Sequence, residues 1–383
     1  MLLGDRTNAK WNEAPFVVRI TTDPSRPSSL REREALLLKG PILEPLLGFK
    51  VFFSLDDSLT TSQHETRIVA LPSTLSYVQD GDIVSVRPMS GDLRVLYRKA
   101  SKHNALVVTP TCNNLCVMCS QPPRKADKEA FRLVWDAIPL MDIDTPGLIL
   151  SGGEPTLLGR RLVQLIYRIK NFLPSTSLHV LTNGRQLKYL AFTQDIAEIW
   201  HPDLVFGIPL YSDLSHEHDF IVQARGAFDE TVRGILNAAR CSLQVELRIV
   251  ITKLNYQWLP RISRFISRNF PFACNVAFMG LEPVGLAKEN LQDVWIDPAD
   301  YGDLLFDAVR ELKWHHIRVS VYNHQLCALS PGLWDDARQS ISDWKNVFLP
   351  QCHDCAVRHR CCGFFASATE VHSRAIKPLV SCD

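Results

Sequence analysis

No cysteine precedes Cys112, although the chain carries 11 in its 383 residues. No run approaches the ~18 apolar residues that a membrane-spanning helix needs, and Met1–Pro15 lacks the hydrophobic stretch of a secretory signal. Neither sign of charge is in excess: 42 Lys and Arg against 41 Asp and Glu leave a formal net charge of +1. Such a balance supplies no overall field to select nucleic acid or an anionic membrane, and no stretch is dense enough in Lys and Arg to favour RNA. Internal repeats and low-complexity tracts are also missing. A cytoplasmic protein is therefore expected, binding neither nucleic acid nor membrane. With 46% hydrophobic and 22% charged residues, the chain has ample material for a core. Its length suits two or three domains, or one large α/β barrel.

Residues 1–100 differ from the rest. Short apolar runs at Phe16–Ile20, Ile68–Leu71, Ile83–Val86 and Leu93–Tyr97 are separated by turn signals such as Asp80-Gly81-Asp82 and Ser90-Gly91-Asp92. That pattern predicts strands joined by hairpins, with one helix over Arg31–Leu38 whose Arg31, Glu32, Arg33 and Glu34 form a solvated face. From about residue 104, strand-like runs alternate with helical spacing. Strands are expected at Leu106–Thr109, Gly147–Leu150, Leu178–Leu181, Leu204–Ile208, Val245–Ile251 and Val276–Met279. Helices are expected at Asp127–Met141, Arg160–Phe172 and near 227–240, 257–268 and 299–313. Alternation of this kind implies parallel strands with crossover helices, open or closed into a barrel. The tail from Cys327 breaks the rhythm and is cysteine-dense, as in regions held by metal rather than by a large core.

In a reducing compartment, closely spaced thiols are more often metal ligands or catalysts than disulfides. Cys112, Cys116 and Cys119 form C-x3-C-x2-C directly after a predicted strand. Soft thiolates select zinc, copper(I) or iron–sulfur clusters. A structural zinc site closes with four ligands, and no fourth Cys or His lies close by in sequence, whereas a four-iron cluster held by three thiolates keeps one iron open for chemistry. Gly152-Gly153-Glu154-Pro155 follows the next strand; glycines let the backbone approach a ligand closely, and a carboxylate at a strand end complements an ammonium. Thr182-Asn183-Gly184 ends the third strand. Arg248 on the fifth would face a ligand carboxylate or pair with a buried acid, while Tyr211 and Ser212 lie beyond the fourth. In parallel α/β folds, ligand sites form at the carboxyl ends of strands, so these motifs converge on one mouth.

Cys352, Cys355, Cys361 and Cys362 give C-x2-C-x5-C-C, with Cys327 upstream. Zinc and a second iron–sulfur cluster both suit four such thiolates. His216-Glu217-His218-Asp219 is expected to be a solvated loop and His315-His316 a favourable placement at a helix C-terminus. Cys241 and Cys274 are expected to be core thiols and Cys382 an exposed one.

The cysteine loop, the GGEP turn and the TNG turn resemble those of the radical S-adenosylmethionine (SAM) superfamily. Cys119–Pro123, Gly280-Leu281-Glu282-Pro283 with Gly285-Leu286-Ala287, Ser342–Asn346 and Arg360–Phe365 are similar to the His-Xaa-Ser system radical SAM maturase, C-type subunit. The likeness runs over most of 100–370. That family would carry Gly where Cys362 stands, which makes Cys361 the preferred ligand and Cys362 a substitute. The resemblance implies a partial (β/α)6 radical SAM barrel at 101–320, a small β-rich N-terminal domain at 1–100 for peptide recognition, and a C-terminal Fe-S-binding tail at 321–383. It also implies a SAM-binding 4Fe-4S cluster on Cys112, Cys116 and Cys119, and an auxiliary 4Fe-4S cluster on Cys327, Cys352, Cys355 and Cys361. SAM would be held by Gly152, Gly153, Glu154, Pro155, Thr182, Asn183, Ser212 and Arg248, with Glu154 and the neighbouring backbone on the methionyl amine. An electron from flavodoxin or ferredoxin would cleave SAM to a 5′-deoxyadenosyl radical that takes hydrogen from a ribosomally made precursor peptide, alongside a sister radical SAM maturase. Other classes compatible with the sequence are a radical SAM enzyme acting on a small molecule or RNA, and a zinc-binding scaffold of a maturation complex.

Overall fold

The structure is a computed structural model; it describes residues 4–7, 10–38, 48–56, 67–339, 347–366 and 369–380. Ser342–Asn346 and Cys382 lie outside the described residues. Two compact units are present: Met1–Val108 with Asp127–Leu150 and Leu165–Ser177, and Thr109–Ala126 with Ser151–Gln164 and Leu178–Asp383. Among the described residues, no helix is long and apolar enough to cross a membrane.

The first unit carries a seven-stranded sheet. Its strands are β1 (Gly4–Arg6), β2 (Phe16–Thr21), β3 (Glu34–Leu38), β4 (Val51–Ser54), β5 (Ile68–Ala70), β6 (Ile83–Arg87) and β7 (Asp92–Tyr97), in the order β1-β7-β6-β2-β3-β4-β5. Val18, Ile20, Val51, Phe53, Val84 and Leu93 are fully buried in its core. Among the described residues, the expected hairpin forms at β6–β7, across Ser90-Gly91-Asp92, while β5 and β6 are not neighbours in the sheet. From β2 through β5 the pairings are parallel, with Arg19 opposite Glu34, Ala35 opposite Val51 and Phe52 opposite Ile68. The helix expected over Arg31–Leu38 is likewise corrected. A single turn, α1 (Ser28–Arg31), is followed by β3, all five residues of which are buried. Leu36-Leu37-Leu38 is a continuous apolar run, which a strand covered on both faces can bury. Glu34 is not on a solvated face; Arg26 grips its carboxylate with two nitrogens, at 2.7 and 3.0 Å.

A second sheet adds β8 (Asn104–Thr109), β9 (Gly147–Gly152), β10 (Ser177–Leu181), β11 (Leu204–Pro209), β12 (Gln244–Ile251), β13 (Asn275–Gly280), β14 (Val319–Tyr322) and β15 (Ala337–Arg338). Its order is β15-β14-β13-β12-β11-β10-β9-β8, and every pairing from β10 to β15 is parallel. The intervening helices are α2 (Lys128–Ala137), α3 (Arg160–Phe172), α4 (Leu190–Ala197), α5 (Ser215–Val222), α6 (Ala227–Arg240), α7 (Leu259–Asn269), α8 (Leu286–Glu289), α9 (Leu291–Val294) and α10 (Gly302–Trp314). The chain is therefore α/β, with a sheet of parallel strands and crossover helices. Strict alternation of burial along β12 puts Val245, Leu247, Ile249 and Ile251 on one covered face. Asp127 caps α2 by accepting from the Glu129 N–H at 3.0 Å.

Three further expectations change. His216–Asp219 is not a solvated loop but part of α5: His218 is 1% exposed, its Nδ1 accepts from the Tyr211 N–H at 3.3 Å, and Asp219 accepts from the backbone N–H of Phe228 at 2.8 Å. Cys241 and Cys274 are half-buried rather than core thiols.

Candidate functional site

The residues singled out for chemistry lie in the second unit; the first cysteine loop and the GGEP and TNG turns follow the ends of β8, β9 and β10, and Arg248 sits within β12. The loop following β8 is held from several sides before any ligand is considered. The N–H groups of Leu115 and Val117 donate to the carbonyls of Val222 and Ile221, at 3.0 and 3.1 Å, where α5 ends. The Leu286 N–H donates to the Cys119 carbonyl at 2.9 Å, and Asn290 Nδ2 to the Val117 carbonyl at 2.8 Å. Gly285 makes this approach: at φ +58°, a Cβ there would lie 2.6 Å from the Cys119 carbonyl oxygen.

Arg185, a residue that sequence reasoning misses, completes the scaffold. Its guanidinium donates to the Asn113 carbonyl at 2.7 Å, to Asn114 Oδ1 at 2.6 Å and to Glu230 at 2.6 Å. Asn183 Nδ2 adds a bond to Asn113 Oδ1 at 2.7 Å. The available signal was position: Arg185 follows Thr182-Asn183-Gly184 directly.

Cys112, Cys116 and Cys119 project from this loop, each half-buried. Burial pushes the Cys116 thiol up to about 12, with Cys119 and Cys112 adding to the effect, and burial also raises Cys112 and Cys119. Thiols so placed need a cation to ionise, as metal ligands do. Tyr211 lies in the field of the same three thiols and of Arg248; burial is the main reason its phenol is held well above the ordinary range. Among the described residues, no three His, Cys, Asp or Glu side chains are gathered into a single-ion geometry.

The GGEP turn is built on close backbone contact. The Gly153 N–H donates to the Thr109 carbonyl at 2.8 Å and the Glu154 N–H to the Thr111 carbonyl at 2.7 Å. A Cβ on Gly152 or on Gly153 would sit 2.2 Å from the carbonyl oxygen of Thr109 or Thr111 respectively. Glu154 is fully buried. Its Oε1 accepts from the Thr156 N–H at 2.9 Å, Thr156 Oγ1 at 2.5 Å and Thr182 Oγ1 at 2.6 Å; Oε2 accepts from the Asn183 N–H at 2.6 Å. The carboxylate thus ties the end of β9 to the end of β10. Burial is the largest influence on it and raises its pKa, while these donors pull the other way. Pro155 opens the 3-10 turn that follows.

Ser212 donates to Glu217 and accepts from the Leu214 N–H at 3.1 Å, and Arg261 reaches Asp213 at 2.6 Å and Glu217 at 2.5 Å. Ser212 is therefore the centre of an ion-paired network. Arg248 on β12 lies 3.6 Å from Glu246 and donates to Met279 Sδ at 3.2 Å.

In the tail, Cys327, Cys352, Cys355 and Cys361 line one cavity with Phe348, Phe364 and Ile376; its space is about 320 Å³ including the open mouth. Cys362 does not line it. This buried thiol points to the carbonyls of His324 and Gly363, at 3.1 and 3.2 Å. The adjacent pair is thus asymmetric: Cys361 lines the cavity with the other thiols, and Cys362 turns to the two carbonyls.

No family model matches the chain, and no curated protein matches it. Solved structures similar to part of it include Streptococcus suis SuiB bound to S-adenosylmethionine, at 13% identity over 59% of this chain and 48% of that one, TM-score 0.44. Another is anSMEcpe with bound AdoMet and Kp18Cys peptide, at 16% identity over 57% of this chain and 62% of that one, TM-score 0.45. A third is the radical S-adenosylmethionine methyltransferase TsrM from Kitasatospora setae with cobalamin and [4Fe-4S] cluster bound, at 12% identity over 45% of this chain and 36% of that one, TM-score 0.34. The chain spans about half the length of SuiB.

Proposed function

We propose that this chain is a radical SAM enzyme that modifies a ribosomally synthesised precursor peptide of the His-Xaa-Ser type, with the second sheet curved as a partial barrel. The observation that carries the reading is the meeting, within one unit, of a braced C-x3-C-x2-C loop with the Gly152-Gly153-Glu154 turn and Thr182-Asn183. The donor set fits the group: three half-buried soft thiols, and a glycine turn too tight for any side chain. Cys112, Cys116 and Cys119 hold the first cluster. The backbone at Gly152, Gly153 and Pro155, with Thr182, Asn183, Ser212 and Arg248, orients SAM. Glu154 keeps the strand ends in register. When bound, the cluster supplies the electron that cleaves the sulfonium, and the radical chemistry belongs to the cofactor. The protein's residues bind, orient and exclude water.

Cys327, Cys352, Cys355 and Cys361 hold an auxiliary cluster in this reading, with flavodoxin or ferredoxin as electron donor and a sister maturase acting on the same peptide. The test is anaerobic reconstitution with iron and sulfide, followed by 5′-deoxyadenosine formation from SAM under a strong reductant. About eight irons per chain, for two four-iron clusters, and cleavage lost in Cys116→Ala support the reading. Zinc in place of iron, with no cleavage, overturns it.

A further inference from the structure

Outside both thiol sets, the second unit holds a buried latch. Asp297, in the turn between α9 and α10, is 5% exposed; its Oδ1 accepts from Ser373 Oγ at 2.5 Å and from the Ala299 N–H at 2.9 Å, and its Oδ2 accepts from the Arg374 N–H at 3.0 Å. Ser373 is also buried and lies 76 positions further along the chain. A buried carboxylate gripped by three donors is a firm attachment, because charge-assisted bonds are stronger than neutral ones. Arg374 adds a bond to Asp300 from an exposed side chain, a pair that contributes little.

From that latch the chain runs along the tail thiols. Ile376 and Lys377 line their cavity. Leu379 then meets the turn that carries Cys355 with both of its backbone groups: its N–H donates to Cys355 Sγ at 3.4 Å, and its carbonyl accepts from the Ala356 N–H at 2.9 Å. Pro378, just before it, has no N–H of its own. The first thiol set has a comparable bond, from the Asn114 N–H to Cys112 Sγ at 3.4 Å, but that donor sits two positions away in the same loop. The donor on Cys355 comes from 24 positions away. Its place therefore depends on what anchors the segment and not on the cysteine turn alone.

We propose that residues 373–379 form a positioning strap that sets how readily the tail centre accepts an electron: latched at Asp297, the strap holds the Leu379 N–H on Cys355 Sγ. The inference rests on the reading of Cys327, Cys352, Cys355 and Cys361 as ligands of an auxiliary four-iron cluster, and deepens it. Adding one electron increases the negative charge on the ligand sulfurs, so an N–H aimed at one of them favours the reduced state and raises the midpoint. Dithionite supplies that electron in an anaerobic titration of the reconstituted full chain, with both centres followed by electron paramagnetic resonance. Leu379→Pro removes the N–H and should make reduction of the tail centre about fivefold less favourable, the net worth of one ordinary hydrogen bond. For a one-electron couple this is a midpoint about 40 mV lower. Leu379→Ala keeps the N–H and should stay at the parent value, and the first centre should move in neither variant. Ser373→Ala cuts the latch while leaving every thiol and the Leu379 N–H in the chain, and should lower the same midpoint. An unmoved tail midpoint in Leu379→Pro or in Ser373→Ala, or equal shifts in Leu379→Pro and Leu379→Ala, overturns the proposal. Should Leu379→Pro fail to retain its tail iron, the Ser373→Ala result decides alone. Iron counted on the parent chain separates the two levels: about four irons, or zinc in the tail, would strike the auxiliary-cluster reading and this inference with it. About eight irons with midpoints indifferent to these substitutions would strike this inference alone.

Discussion

Glu154→Gln separates two roles that the same residue would have in different accounts of the site. If its carboxylate existed to bind an incoming ammonium, the ligand-free chain would tolerate the change. The structure instead spends four protein donors on the carboxylate, three at Oε1 and one at Oε2, and leaves none of the side chain exposed. Glutamine keeps the shape but must put an NH2 where one oxygen stood. At the Oε2 position it meets the Asn183 N–H head-on; at Oε1 it meets the Thr156 N–H and two hydroxyls, which is worse. The better orientation strands one buried backbone donor, at about 1–3 kcal/mol. The opposing effect is relief of charge burial, which raises the pKa of this carboxyl. Four fixed donors already solvate the charge, and removing one partner of a buried polar set exceeds the saving on charge. The expected loss is about 2 kcal/mol, or roughly 4–8 °C for a cooperative unit of 150–250 residues. Thermal melts of the metal-free, SAM-free chain by circular dichroism measure it. An unchanged or raised midpoint, with only SAM affinity reduced, would refute the reasoning and return Glu154 to the role of direct ligand.

Gly153→Ala should cost about 2–4 kcal/mol and abolish SAM binding, because its Cβ would lie 2.2 Å from the Thr111 oxygen and disturb the adjoining hydrogen bonds; denaturant unfolding and SAM titration check both. Cys361→Ser should lower iron from about eight to about four per chain while Cys362→Ser keeps about eight, if one thiol of the pair is a cluster ligand; the reverse pattern would exchange their roles. Burial holds His218 and His324 at about 4, below the ordinary 6.5. Between those pH values the unfolded chain binds protons that the folded chain refuses, so stability is full above about 6.5 and falls as pH drops towards 4, by about 3 kcal/mol for each histidine. Urea midpoints across that range should fall less steeply in His218→Asn than in the parent chain.

Six of the eight strands of the second sheet, β8 to β13, are legible because each is a short β-branched or leucine-rich run, and α3 and α6 because their apolar positions recur at helical spacing; β14 and the two-residue β15 are not among the expected strands. What local pattern does not carry is long-range pairing. β2 through β5 pair in parallel with their sequence neighbours and β6 pairs with the distant β2 rather than with β5, so the turn signal at Asp80-Gly81-Asp82 suggests a hairpin that is not in the sheet order. His216–Asp219 looks solvated as a string of polar residues, yet α5 buries His218 against Tyr211 and Phe228 and spends Glu217 on Arg261 and Ser212. Cysteine spacing marks both thiol sets but is silent on which member of Cys361-Cys362 faces the cavity, since adjacent residues differ only in direction. Arg185 is invisible to spacing for a related reason: its partners Asn113 and Glu230 are 72 and 45 positions away.

The two thiol sets differ in what holds them, and that difference bears on their chemistry. The first loop borrows rigidity from a parallel sheet and from α5, α6 and α8, so its backbone is placed without help from a ligand. The tail cysteines occupy short 3-10 turns, Leu326–Ala328 and Pro350–Cys352, and the loop between Cys355 and Cys361. Among the described residues, one isolated antiparallel bridge, Val347 to Phe364, ties their flanks together. Turns of three residues contribute few hydrogen bonds per residue ordered, and the entropy of ordering such a segment needs another source of free energy. In the function proposed above, four thiolates on one metal centre would provide it, because binding energy in such a region is folding energy. On that proposal the tasks would be unequal: the first set is braced by the protein's own hydrogen bonds, and the second would depend on its centre for its shape.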